Sequence, residues 1–247
     1  MKLFRLHPRH FWSSESGMTG LLVFTLVFLF ATCALGEFTF GKLMGRLFFS
    51  LIILSGVLTT FTQRWVRFLA VVLAVAGLTL TWLEEIRPAV SLLNTLTSGL
   101  SLIYLGLLLA VLIVQVFQAG TVTGQRIRGA VVVYLLMGAM WGLLYHVVAM
   151  TIPHAFRFPE ALAVGDPQAL RRILTYFSFI TLTTTGFGDI TPTHPISRTL
   201  AMFEALTGQL YLVITLARMV SLAVVGQKDK VQNKPPDTES GSKEDLS

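Results

Sequence analysis

Charge is scarce in this chain. Only 13% of its 247 residues are Asp, Glu, Lys or Arg, against about 25% in an average soluble domain. Hydrophobic residues make up 53%, and the mean hydropathy is +0.70. A water-soluble fold could not hide that much apolar surface, so the solvent expected for this chain is a bilayer. There is one cysteine, Cys33, which excludes an intrachain disulfide and a cysteine metal cluster. Basic residues are not interleaved with aromatics in a stripe, so nucleic acid is not an expected partner. The net charge of +6 fits cytoplasmic loops facing anionic lipid. No repeat of fixed period is evident.

A spanning helix takes roughly 17 to 25 mostly apolar residues. Six segments qualify or come close: about Met18 to Leu35, Leu47 to Thr62, Phe68 to Leu83, Ser98 to Phe117, Gly129 to Ile152, and Ser197 to Val225. The second and third need flanking residues to complete them. A seventh run, about Leu170 to Thr184, is too short to span. It suits a re-entrant helix, which is tolerated where protein or a wet cavity surrounds it. Asp166 and Pro167 would start that helix, as N-cap and first-turn residue. The first segment ends in Ala31-Thr32-Cys33-Ala34-Leu35-Gly36, mildly like a signal-peptide cleavage region. Its apolar run exceeds the usual length of about 7 to 15 residues, so retention as a span is expected.

Loop charges orient the spans. Lys2, Arg5 and Arg9 precede the first, Arg64 and Arg67 follow the second, Arg126 and Arg128 follow the fourth, and Lys228 and Lys230 follow the sixth. The other loops carry Glu37, Lys42 and Arg46, and Glu84, Glu85 and Arg87. The positive-inside rule then puts both termini in the cytoplasm. The expected organisation is a cytoplasmic segment over 1–17, a four-span domain over 18–128, a pore domain over 129–226 and a disordered polar tail over 227–247.

Between the last two spans, Thr183 to Pro192 read Thr-Thr-Thr-Gly-Phe-Gly-Asp-Ile-Thr-Pro. Alternate glycines open backbone angles closed to other residues, so successive carbonyls can point one way. A ring of such carbonyls can replace the hydration shell of a cation. The stretch resembles the selectivity filter of potassium channels, whose common form is Thr-Val-Gly-Tyr-Gly-Asp. The resemblance runs over roughly Gly129 to Val225 and is strongest from Tyr176 to Gly208. It implies an all-α membrane protein with six transmembrane helices. A re-entrant pore helix and filter would lie between the fifth and sixth, with the filter on the outer side.

The resemblance also assigns residues. Thr184, Thr185, Gly186, Phe187 and Gly188 would form the filter. Potassium would sit at Thr184, Thr185, Gly186 and Phe187. Asp189 and Gly188 would form the outer mouth. Tyr176 and Phe177 would brace the filter. Thr185 stands where the family usually has valine, and Phe187 where it usually has tyrosine, so one phenolic hydrogen bond is missing. Ile180 occupies a position where some members place a carboxylate. Glu204 is the expected substitute, bonded to the pore helix of its own or a neighbouring subunit, with the Thr181 and Thr183 hydroxyls as candidate partners. Two other readings stay open for Glu204, a cavity-facing carboxylate and an ion pair with Arg198. Gly208, twenty residues past Gly188, reads as a hinge of the inner helix or as a close-packing residue. Gly138 and Gly142 form a Gly-xxx-Gly packing pattern. Arg218 is expected to snorkel to the headgroups.

The six-span plan matches voltage-gated channels, but the fourth span, from Ser98 to Phe117, holds no Arg or Lys. Voltage sensing needs such charges, so weak or absent voltage dependence is expected. His146 and His154 lack metal-ligand spacing, and His146 reads as packing or interface. His194 reads as a solvated loop residue, with an outer proton sensor as the alternative. The expected function is passive potassium conduction through a homotetramer. There would be no catalysis and no cofactor beyond the permeant potassium ions. Partners would be membrane lipids and, for gating, an unknown regulatory subunit, with lipid, tension and pH also open as stimuli. The compact form and short loops point to a bacterial inner membrane. The alternatives are a nonselective cation channel, a membrane-embedded enzyme and a non-conducting structural subunit.

Overall fold

The structure is a computed structural model, and it describes residues 15–34, 38, 40–41, 43–44, 47–52, 64–86, 91–118, 123–159 and 167–232. Within these, six long helices follow one another: α1 Glu15–Ala34, α2 Arg64–Ile86, α3 Ser91–Val116, α4 Gly124–Thr151, α5 Pro167–Leu182 and α6 Pro195–Gln232. Residues 47–52 are also helical. The rest of the expected second span, 53–62, lies outside the described residues, as do Asp166, segment 1–14 and the tail from 233.

Among the described residues, three helical stretches are long and apolar enough to cross a membrane: Leu96–Val116, Gly124–Thr151 and Pro195–Leu222. Met18–Cys33 and Val71–Leu80 are shorter apolar stretches. Helix α5 has 16 residues, or about 24 Å at 1.5 Å per residue. That is less than a hydrocarbon core of about 30 Å. It begins at Pro167, where a missing backbone N–H costs nothing. The last helix reaches Gln232, six residues into the segment expected to be tail. One short antiparallel pair was not expected in an all-α chain: β1 Phe156–Arg157 with β2 Thr191–Pro192, Phe156 opposite Pro192 and Arg157 opposite Thr191.

Two clusters hold the described part together. The larger joins α1, α2, α3 and α4 around Leu21, Tyr104, Leu108, Leu112, Val133 and Leu136, all nearly inaccessible. The smaller joins α4, α5 and the β pair through Tyr145, Phe156, Leu174, Phe177 and Ile190. Small residues bring α5 against α4. A Cβ added at Gly142 would lie 2.9 Å from the Thr175 Cα, and one at Gly138 would lie 2.7 Å from the Phe179 ring. The Gly-xxx-Gly pattern of α4 therefore receives the short helix α5. Helix α6 differs: only 11% of its apolar window is buried within the chain, against 67% for α4.

Candidate functional site

The backbone after α5 alternates. Thr184, Gly186 and Gly188 have φ of +57°, +55° and +78°, and Thr185 and Phe187 between them do not share this left-handed conformation. Such alternation lets successive amides face one side. Glycine takes the left-handed angle without penalty. Thr184, β-branched, takes it at a cost of about 1–2 kcal/mol, so the surroundings must impose it.

The end of α5 supplies those surroundings. The Thr185 and Gly186 amides both donate to the Ile180 carbonyl, at 2.8 and 3.1 Å. The Thr183 and Thr184 amides donate to Phe179 and Thr181, at 3.0 and 2.9 Å. The loop thus caps the carbonyl end of its own helix. That end carries partial negative charge, which favours a cation nearby. Gln209 of α6 reaches the Thr184 hydroxyl at 3.4 Å.

Beyond the loop, the chain is fastened to the segment after α4. Thr193 N–H donates to the Ala155 carbonyl at 3.0 Å, and the Thr193 hydroxyl donates to the His154 carbonyl. Ser197 Oγ donates to Ala155 O at 2.7 Å. Arg198 Nε donates to Pro192 O at 3.1 Å. His194 Nδ1 accepts from the Ile196 amide at 3.2 Å, which makes it a cap of α6. These contacts fix the loop at both ends.

The supporting residues divide. Tyr176 of α5 interacts electrostatically with Asp189 at the far end of the loop. Phe177 makes its ring contacts with Tyr145 at 5.1 Å and Phe156 at 5.5 Å, within the smaller cluster. Glu204 is fully buried and does meet α5, but through Ser178 rather than Thr181 or Thr183. Those threonines bond backward to Phe177 O and Phe179 O, as hydroxyls in apolar helices commonly do. The other Glu204 oxygen accepts from Tyr145 Oη at 2.6 Å. The ion pair with Arg198 does not form, because Arg198 is engaged at Pro192.

Gly208 sits in close packing. A Cβ there would lie 2.6 Å from the Leu182 carbonyl oxygen and 2.8 Å from Leu182 Cδ1. Helix α6 runs through it without interruption. Bending at Gly208 would have to open that contact. His146 is fully buried, with Nδ1 3.1 Å from Ser98 Oγ on α3. Arg171 of α5 donates to the same oxygen at 3.0 Å. Among the described residues no group of three or more His, Cys, Asp or Glu could hold a metal ion.

Residues 173–224 match the family model described as "Ion channel". The match covers α5 from Ile173, the alternating loop and α6 to Val224, which are the parts whose geometry is described above. It supports an ion channel of the pore-loop type. No curated protein and no solved structure matches the chain. Within the channel segment, sequence reasoning missed Ser178, Gln209 and Ser197, and outside it Tyr145. A lone serine on a short apolar helix and one of two tyrosines on a long one were the available signals.

Proposed function

We propose that this protein is a potassium-selective channel in which Thr184, Thr185, Gly186, Phe187 and Gly188 line the filter. The observation that carries this reading is the left-handed backbone at every second residue from Thr184 to Gly188. It occurs where a short helix ends, inside the segment that matches ion channels. Dehydrated ions would move in single file between carbonyl rings, each ion displaced by the next. Asp189 would draw cations to the outer mouth.

One chain provides one loop, and a closed ring of carbonyls needs four. A homotetramer is therefore part of the proposal. The exposure of α6 supports it: Val213 is 63% and Leu216 68% exposed, and Phe187 71%. Apolar surface of this kind is covered by other copies or by lipid. Both termini would be cytoplasmic by loop charge, with the first helices as a lipid-facing collar. The test is potassium flux into proteoliposomes. Flux of potassium well above sodium, blocked by barium, supports selectivity. Equal flux of the two ions points to a nonselective pore.

A further inference from the structure

Three helices meet at one buried serine. Ser178 Oγ on α5 lies 2.7 Å from the Gly138 carbonyl oxygen on α4. It is also in hydrogen-bond contact with Glu204 Oε1 on α6. Glu204 Oε2 is 2.6 Å from Tyr145 Oη on α4. Ser178 and Glu204 are fully buried.

The protons can be counted. Two oxygens this close need a proton between them. A serine hydroxyl carries one, a carbonyl carries none, and an ionised carboxylate carries none. Ser178 has two oxygen neighbours at bonding distance, so its own proton serves only one. Gly138 O cannot supply the other. If Ser178 gives its proton to Glu204, its contact with Gly138 O becomes a meeting of lone pairs at 2.7 Å. If Glu204 carries a proton, every contact is satisfied. Glu204 donates to Ser178, Ser178 donates to Gly138 O, and Tyr145 donates to the other Glu204 oxygen. Burial agrees, because no cation is paired with Glu204 among the described residues and an isolated buried carboxylate is costly.

We propose that Glu204 is a neutral carboxylic acid that positions the pore helix by donating its proton to Ser178. The chain Tyr145 to Glu204 to Ser178 to Gly138 O ties α4, α5 and α6 together two residues before Ile180, whose carbonyl holds the filter amides. Glu204 is thus a positioning residue, and this role rests on the channel reading above. Recognition depends on a donor and an acceptor on one planar group, not on negative charge.

The proposal predicts which substitution is tolerated. In Glu204→Gln the amide donates to Ser178 and its oxygen accepts from Tyr145. Potassium flux in proteoliposomes should stay within about threefold of wild type, since both hydrogen bonds persist. In Glu204→Leu both partners lose their bond, and flux should fall about tenfold or more. The direct readout is infrared absorption of the reconstituted full chain at neutral pH. The carbonyl stretch of a protonated carboxyl group should be present in wild type, shift in heavy water, and vanish in Glu204→Gln. In Ser178→Ala that band should move to the frequency of a more weakly bonded acid. Absence of the band, or a band unchanged in Glu204→Gln, overturns the proposal. So does a folded Glu204→Gln protein that conducts no potassium while wild type conducts. If wild type itself conducts none, the channel reading fails, and the infrared band still decides the state of Glu204.

Discussion

Gly186 and Gly188 stand at φ of +55° and +78°, and nothing lies within 4 Å of a Cβ built at either. The cost of a side chain there comes from the backbone, not from crowding within the protomer. Gly186→Ala should cost about 1–2 kcal/mol in the filter conformation. By the factor of ten per roughly 1.4 kcal/mol, potassium flux should drop about tenfold. Normal flux in Gly186→Ala would remove this residue from the filter. At Gly208 the reasoning differs, because a Cβ would strike the Leu182 carbonyl. Gly208→Ala should lower stability by about 1–3 kcal/mol through overpacking, seen as an earlier thermal midpoint in detergent. An unchanged midpoint would mean that α6 yields there easily. The left-handed turn of the loop was legible from sequence because its glycines lie within ten consecutive residues. Glu204 was legible as a buried carboxylate, yet its partners were not. Ser178 and Tyr145 are 26 and 59 positions away, and only the rotation of three helices decides which hydroxyl faces it.

At the scale of elements, α5 is held by glycine contacts on one side and hydrogen bonds on others. Gly142→Ala places a methyl 2.9 Å from a backbone Cα, which cannot move as a side-chain tip can. A loss of about 1–3 kcal/mol is expected, and a thermal melt of the purified protein measures it. Helix α3 has a different task from the one its position suggests. It carries no Arg or Lys from Ser91 to Val116, so conductance should vary little with membrane potential. A steep conductance–voltage curve in planar bilayers would contradict this. What α3 offers is Ser98, which meets both His146 and Arg171 and so ties α3 to α4 and α5. Ser98→Ala should cost about 1–3 kcal/mol, again visible in the melt. The length of the apolar runs made most of these helices readable beforehand, and the shortness of one run marked α5. The β pair was not readable, since two residues on each strand leave no alternation to detect. The extension of α6 to Gln232 was hidden because its last turns are polar and resemble a tail.

For the whole molecule, α6 is the least covered by its own chain of the three candidate spans among the described residues, although its Gln209 reaches the loop at Thr184. An apolar helix so exposed is completed by lipid or by other copies. The proposed tetramer would bring four loops to one axis and bury Phe187. Native mass spectrometry in mild detergent should give a complex of four times 27.2 kDa, and a lone protomer would leave the filter without its ring. Assembly was the part least legible in the residues, because a helix face turned to lipid and one turned to a second copy are both apolar. The central claim is that the loop from Thr184 to Gly188 conducts potassium selectively. Uptake of potassium and of sodium by liposomes holding the purified protein tests it most directly. The account predicts potassium uptake well above sodium uptake, stopped by barium. Equal uptake of both ions, or none of either, would contradict it.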